Sequence, residues 1–285
     1  MGKQLRYPTG VRPLLIAESA RRRRVESRIA SILESAGFDE VILPILDYAD
    51  PEAASTDTYR FVDRDGELVA VRSDFTPMVA RALAPSISAD DLPLRVFYRG
   101  DVIRYEVSRL GSNRETFQIG AEIVGDPGVE ADIEAMALVD SILRQFGVDP
   151  LIVFTDATIP DRIGGDGLRE ALASKQVSET ANGLVRKLVA GTATTDDLRC
   201  ASSLVEVADR LDTIARRGGA GCALHLDDVD RVRGYYTGLR FRAYDKASRR
   251  TVAQGGRYDS LYAKFGTAAP AVGFTLTIDD LDSTP

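Results

Sequence analysis

"ETFQIGAEIVG", residues 115–125, is the stretch on which the fold turns. Side chains alternate across an extended chain. Phe117, Ile119, Ala121 and Ile123 therefore form one apolar face, and Gln118, Gly120 and Glu122 form the other. A strand that is apolar on one side only belongs to an antiparallel sheet covered on that side. Just upstream, "LRVFYRGDVIRYEV" (94–107) reads as a second strand. The polar "SRLGSNR" (108–114) joins the two into a hairpin with a long loop.

The polar face carries the chemistry. An amide and a carboxylate flank Gly120, a residue with no side chain, which describes a pocket floor with an open gap over the glycine. On the partner strand Gly100, Val102, Arg104 and Glu106 alternate in the same way. If the two faces coincide, Arg104 and Glu122 point into one cavity. A guanidinium there suits a carboxylate or phosphate and an acid suits an ammonium, so the pair fits a zwitterion. The same alternation also fits an ordinary solvent-facing strand surface. A second polar cluster is "RVRGYYTGLRF" (231–241), where Arg231 and Arg233 precede a glycine and two tyrosines. It can supply a bidentate fork and a flat aromatic wall, or be a turn with aromatic packing.

Outward from the hairpin, "IAESARRRRVESRIASILESAGF" (16–38) places Val25, Ile29, Ile32, Leu33 and Ala36 on one helical stripe, with Gly37 as its stop. Four consecutive arginines, Arg21–Arg24, spread around a helix, so the run reads as a solvated, partner-facing surface. "DEVILPILDYAD" (39–50) reads as one extended segment that tolerates Pro44 at an edge or bulge. "LVAVRSDFTPMVARAL" (68–83) is a strand, a turn and a helix. "EADIEAMALVDSILRQFG" (130–147) is a helix, and "PLIVFTDA" (150–157) a strand. Residues from about 160 to 220 carry helical periodicity between glycine-rich breaks, as a small helical insert would. "GLRFRAYD" and "TVAQGG" form another strand pair, "RYDSLYAKFG" (257–266) reads as a helix, and "AVGFTLTIDDL" (271–281) as a short buried strand entering a helix start. The expected class is α+β, with an antiparallel sheet flanked by helices rather than a doubly wound parallel one.

Bulk properties narrow the function. The 285 residues are 44% hydrophobic, and 36 basic against 43 acidic residues give a net charge of −7. That total lacks the basic footprint of a protein that binds free nucleic acid. Cys200 and Cys222 form no CxxC pattern and read as inert thiols in a reduced, cytoplasmic compartment. The single His225 is read as structural, so no metal and no cofactor are expected. No apolar run has the length of a membrane span. "GDGLREAL" lacks the GK[ST] ending of a phosphate loop and is set aside.

These pieces, in this order, resemble the catalytic domain of class II histidyl-tRNA synthetases along nearly the whole chain. "GFDEVILPILDYAD" resembles motif 1, the dimer-forming helix and strand, and "VIRYEVSRLGSNRETFQIGAEIVG" resembles motif 2. "VRSDFTPMVAR" resembles the segment that binds the histidine amino group, and "RVRGYYTGLRF" the histidine-specific arginine–tyrosine motif. "GGRYDSLYAKFG" with "PAVGFTLTIDDL" resembles the region through motif 3.

The resemblance implies a histidine-binding set. Asp74 stands where the synthetases have a glutamate toward the α-amino group, and Thr76 matches the neighbouring threonine. Arg104 matches the motif 2 arginine, Gln118 and Glu122 match the pocket-floor pair, and Arg233 matches the histidine-specific arginine. "GYYTG" is two residues shorter than the synthetase version, and its Tyr235 and Tyr236 complete the set. The motif 3 arginine that clamps ATP phosphates falls on Asp280, which turns attraction into repulsion. The anticodon-binding domain that follows the synthetase core is not expected here, a second departure.

Both departures resemble the synthetase-like regulatory-subunit family of ATP phosphoribosyltransferase, as does "RGYYTGLRFRAY". That implies a single synthetase-like core over residues 1–285 with no catalytic residues of its own. It also implies a short-form catalytic subunit as partner in the first step of histidine biosynthesis, a homodimer through the motif 1-like region, free L-histidine as effector, and no tRNA. Two other readings stand beside it: a minimal synthetase-like enzyme that activates an amino acid, and an interaction module that binds no ligand.

Overall fold

The computed structural model describes residues 7–49, 58–105, 113–219, 221–228, 234–279 and 281. Eleven strands lie among them: β1 Asp39–Glu40, β2 Leu46–Tyr48, β3 Arg60–Val62, β4 Leu68–Val71, β5 Leu94–Ile103, β6 Glu115–Val124, β7 Pro150–Asp156, β8 Cys222–Leu224, β9 Leu239–Asp245, β10 Thr251–Arg257 and β11 Ala271–Thr277. The α-helices are α1 Ile16–Ser35, α2 Thr76–Leu83, α3 Val129–Gln145, α4 Ile159–Ile163, α5 Gly165–Ser174, α6 Gly183–Val189, α7 Thr195–Arg199 and α8 Val205–Arg217.

Eight strands form one sheet in the order β1-β5-β6-β11-β10-β9-β7-β8. β5 and β6 pair antiparallel over ten residues, with Tyr98 opposite Gly120 and Val96 opposite Glu122. β11 returns antiparallel beside β6, placing Gly273 opposite Glu122 and Thr275 opposite Gly120. The expected antiparallel sheet holds through its centre but not at its rims. The pairs β1–β5 and β7–β8 are parallel. Each joins strands separated by connections long enough to cross back over the sheet, which the local hairpin signals did not reveal.

The alternation of β6 sorts the two faces. Ile119, Ala121 and Ile123, with Phe97 of β5 and Val272, Phe274 and Leu276 of β11, enter a core closed by Val25, Ile29 and Leu33 of α1 and Met136 and Val139 of α3. Leucines of the helices between β7 and β8, among them Leu168, Leu188, Leu198 and Leu211, belong to that same core. The other face meets α2, where Val96, Tyr98 and Val102 pack on Phe75 and Val79.

Two expected elements differ. "DEVILPILDYAD" does not run as one segment: β1 joins the large sheet and β2 a small one ordered β2-β4-β3. The break is at Pro44, which has no N–H for a ladder. The Arg72 guanidinium takes the exposed carbonyls there, donating to Leu43 O at 2.9 Å and Pro44 O at 3.3 Å. "RYDSLYAKFG" is not an α-helix. Arg257 ends β10, Tyr258 N–H donates to Ala271 O at 2.8 Å as the ladder continues, and only a 3₁₀ turn, Tyr262–Phe265, follows. Burial of Tyr258, Leu261 and Tyr262 in one cluster decides this stretch, not its helical spacing.

A buried ion network ties the layers together. Asp132 of α3 is fully buried and holds Arg257 Nε at 2.8 Å and Arg210 Nη2 of α8 at 2.6 Å. Arg257 also donates to Asp126 O and Gly128 O, both at 3.0 Å. Burial raises the Asp132 carboxyl above the ordinary aspartate range, against the lowering pull of both guanidiniums.

Candidate functional site

A small, tightly filled cavity opens on the α2 face of the sheet. Asp74, Thr76, Arg104, Gln118, Tyr235 and Tyr236 all line it. Six of the eight residues singled out from sequence therefore meet at one place, and both tyrosines face it. Arg233 and Asp280 lie outside the described residues. Larger hollows lie beside α1, away from these side chains.

Local chemistry fixes each group. Asp74 precedes α2 and its Oδ1 accepts from Thr76 N–H at 3.2 Å, so the turn into the helix holds the carboxyl in place. Arg104 follows β5 and donates Nε to Ser73 O at 2.8 Å, beside Asp74. Burial raises the Asp74 carboxyl, and the Arg104 charge opposes the shift. Tyr235 stands 4.8 Å from Tyr236 and edge-on to Tyr258 at 5.6 Å, ring centre to ring centre. Tyr236 fits because position 256 is glycine: a Cβ there would lie 2.8 Å from its ring. Burial, then the Asp74 charge, holds the Tyr235 phenol well above its usual range.

Glu122 is the exception to the expected layout. It does not line the cavity but lies beneath it, with no solvent exposure. Its Oε1 accepts from Thr76 Oγ1 at 2.9 Å, while Oε2 has no partner among the described residues. A Cβ on Gly273 would lie 1.5 Å from Oε2, so this carboxyl oxygen occupies the side-chain space of a cavity-lining glycine.

The expected gap over Gly120 is not open. A Cβ there would lie 2.3 Å from Tyr98 Oη, so the glycine makes room for tyrosine, not for a ligand. Tyr98 stacks on Phe75 with ring centres 4.4 Å apart, and its hydroxyl pairs with Thr275 Oγ1 at 2.8 Å. The sequence alternation extends along β6 and from Gly100 onward on its hairpin partner, and was not carried back to Tyr98 or across to β10 and β11. Gln254, Tyr258, Gly273 and Thr275 also line the cavity. Gly273 and Thr275 were legible, since they alternate with core-facing Val272, Phe274 and Leu276. Tyr258 was hidden by the helical reading of its segment.

Among the described residues the lining presents one carboxyl, two amides, one guanidinium and phenol walls, with the Glu122 carboxyl buried beneath it. These groups match a small zwitterion, Asp74 toward an ammonium and Arg104 toward a carboxylate. Among the described residues no group of three or more His, Cys, Asp or Glu is placed to hold a metal ion. No helix among them is long and apolar enough to cross a membrane.

Fold and site together define a histidyl-tRNA synthetase-like protein of class II architecture. The family model for histidyl-tRNA synthetase matches residues 10–175 and 162–281. A solved ATP phosphoribosyltransferase regulatory subunit/histidyl-tRNA synthetase from Bacillus halodurans superposes with a TM-score of 0.84 at 22% identity, covering 99% of this chain and 83% of that one. A histidine–tRNA ligase subunit from Alicyclobacillus acidocaldarius gives 0.81 at 26%, covering 99% and 98%. Among curated relatives, the ATP phosphoribosyltransferase regulatory subunit of Moorella thermoacetica is 31% identical over 97% of this chain and 81% of its own length. That of Anaeromyxobacter dehalogenans strain 2CP-1 is 32% identical over 96% and 90%. The chain belongs to the ATP phosphoribosyltransferase regulatory subunit family.

Proposed function

We propose that this protein is the non-catalytic regulatory subunit of an ATP phosphoribosyltransferase, acting at the first step of histidine biosynthesis with a separate short catalytic subunit. On this reading residues 1–285 form one synthetase-like core, and the helices between β7 and β8 are an insert in it. The chain pairs with a second copy through α1 and the β1–β2 segment. The cavity takes free L-histidine as feedback effector, through Asp74, Thr76, Arg104, Gln118, Glu122, Arg233, Tyr235 and Tyr236. The observation that carries this is the convergence of an acid, two amides, a guanidinium and phenols on one small cavity in a chain of this family. Asp280, where the synthetases carry an ATP-clamping arginine, supports a sensor over an adenylate-forming enzyme. Binding energy then biases the complex between states instead of lowering a reaction barrier.

The test is phosphoribosyl transfer by the reconstituted complex, titrated with histidine. Losing a hydrogen bond to a charged group costs about 1.5–3 kcal/mol. Glu122→Gln and Arg233→Ala should therefore shift the inhibition curve about tenfold or more to higher histidine while the subunits still assemble. Wild-type curves for both variants would place histidine elsewhere. Histidine-dependent ATP–pyrophosphate exchange by the isolated chain would instead support an activating enzyme.

A further inference from the structure

Arg72 is buried just ahead of α2 and does not line the cavity. Its Nε and Nη2 donate to Asp101 O on β5 at 3.0 and 2.8 Å, and its Nη1 donates to Leu43 O and Pro44 O between β1 and β2. The guanidinium stacks on the Phe75 ring at 4.1 Å. Gly100 leaves room for it, since a Cβ there would lie 2.7 Å from Nη2. The backbone repeats the pattern. Arg72 N–H donates to Ile45 O at 2.8 Å, and Arg72 O accepts from Ile103 N–H at 2.9 Å. Among the described residues its acceptors are carbonyls fixed in the chain, not a carboxylate whose side chain could follow it.

The chain runs from Arg72 straight into the turn before α2. There Ser73 O holds Arg104, Asp74 lines the cavity, and Thr76 donates to the buried Glu122. Arg72 meanwhile grips residues 43–45, in a stretch where Ile42, Ile45 and Leu46 are exposed. A buried guanidinium N–H left without an acceptor is strongly unfavourable. A shift of the turn therefore carries Arg72 with it, and Arg72 carries the 43–45 carbonyls.

We propose that Arg72 is a positioning residue that makes the turn at the cavity and the 42–46 surface one mechanical unit, so that a ligand in the cavity and a second copy on that surface change each other's affinity. This rests on the histidine reading for the ligand and on the proposed pairing for the second copy, while the joint itself rests on neither. The effect runs both ways, as coupling between two binding events must.

Hydrogen–deuterium exchange and sedimentation of the full chain test the joint. In wild type, saturating L-histidine should change exchange at the Arg72 and Ile103 amides, which close the joint onto Ile45 and Arg72. It should also shift the self-association constant about tenfold, an ordinary size for coupling between sites. Arg72→Lys keeps the charge and loses the planar fork. It should still bind histidine and self-associate, with the shift reduced to about twofold or less. Asp132→Ala weakens the fold through a network that Arg72 does not join, and should keep the wild-type shift. The exchange measurement needs wild type alone, so it stands even if Arg72→Lys folds poorly. Histidine bound in calorimetry with both amides unchanged overturns the proposal. So does a wild-type shift in Arg72→Lys, or loss of the shift in Asp132→Ala. A wild type that binds no histidine overturns the histidine reading instead. Association alone, from dilute to concentrated protein, should then still change exchange at the Thr76 amide, which donates to Asp74. No change there in a protein that does self-associate overturns the joint as well.

Discussion

Glu122 links the protein's stability to pH. Its folded-state carboxyl is raised above the unfolded value, so the native chain holds a proton that the unfolded chain releases. Stability therefore falls as pH rises from about 4.3, the ordinary glutamate value, toward the folded one. Glu122→Gln keeps the shape of the neutral acid and removes the proton. In denaturant unfolding between pH 5 and pH 8, the variant should gain on wild type as pH rises. A stability difference that stays constant with pH would mean Glu122 is ionised in the folded chain. At this scale the sequence disclosed which residues share the site, because alternation on β6 separates Gln118 and Glu122 from the core face. It did not disclose depth. Whether Glu122 lines the cavity or lies under it depends on Thr76 closing over it from another element and on Gly273 leaving room, neither of which a single strand's pattern contains.

The elements show why local pattern was enough for the sheet's centre and not for its rims. The hairpin of β5 and β6 has its signals within one contiguous stretch, and its register places Tyr98 over Gly120 as neighbours must sit. The parallel partners β1 and β8 are set by pairing with strands distant in sequence, and the short turn after β10 by burial of Tyr258, Leu261 and Tyr262. The network on Asp132 likewise joins distant elements, α3, β10 and α8, through Arg257 and Arg210. Arg257 is itself buried and leads directly to Tyr258 at the cavity wall. Removing one partner of a buried ion pair commonly costs about 3–5 kcal/mol, because the remaining charge is left uncompensated. Asp132→Ala should come at the lower end, since Arg257 keeps Asp259 Oδ1 at 3.0 Å and two carbonyls. Urea unfolding measures the loss. A cost under about 1 kcal/mol would mean the remaining partners already satisfy the guanidinium.

For the whole molecule, the outstanding feature is apolar surface gathered beside α1. Ile16 is 92% and Ile42 90% exposed, and Leu15, Ile45, Leu46 and Tyr48 are exposed with them. Leu14, Ile42, Ile45, Ile103 and Phe117 line one hollow there, rimmed by Arg22, Arg23, Glu40 and Arg99. Single exposed isoleucines are ordinary, but a grouped apolar patch with a charged rim is the anatomy of an interface. The proposed second copy would cover it by a two-fold, self-complementary contact. Ile42 is nearly fully exposed in the single chain, so a charge at that position costs the isolated fold little. Buried at an interface without a partner, the same charge is strongly unfavourable. Ile42→Asp should therefore leave the far-ultraviolet circular dichroism unchanged and weaken self-association about a hundredfold or more, a loss of about 2.7 kcal/mol or more. Sedimentation at micromolar concentration should then find dimeric wild type and monomeric variant. If the variant sediments as wild type does, the pairing surface lies elsewhere and the apolar patch is left for the catalytic subunit. Pull-down of that subunit by the Ile42→Asp chain would then fail, whereas under the proposed pairing it fails only if the catalytic subunit requires the dimer.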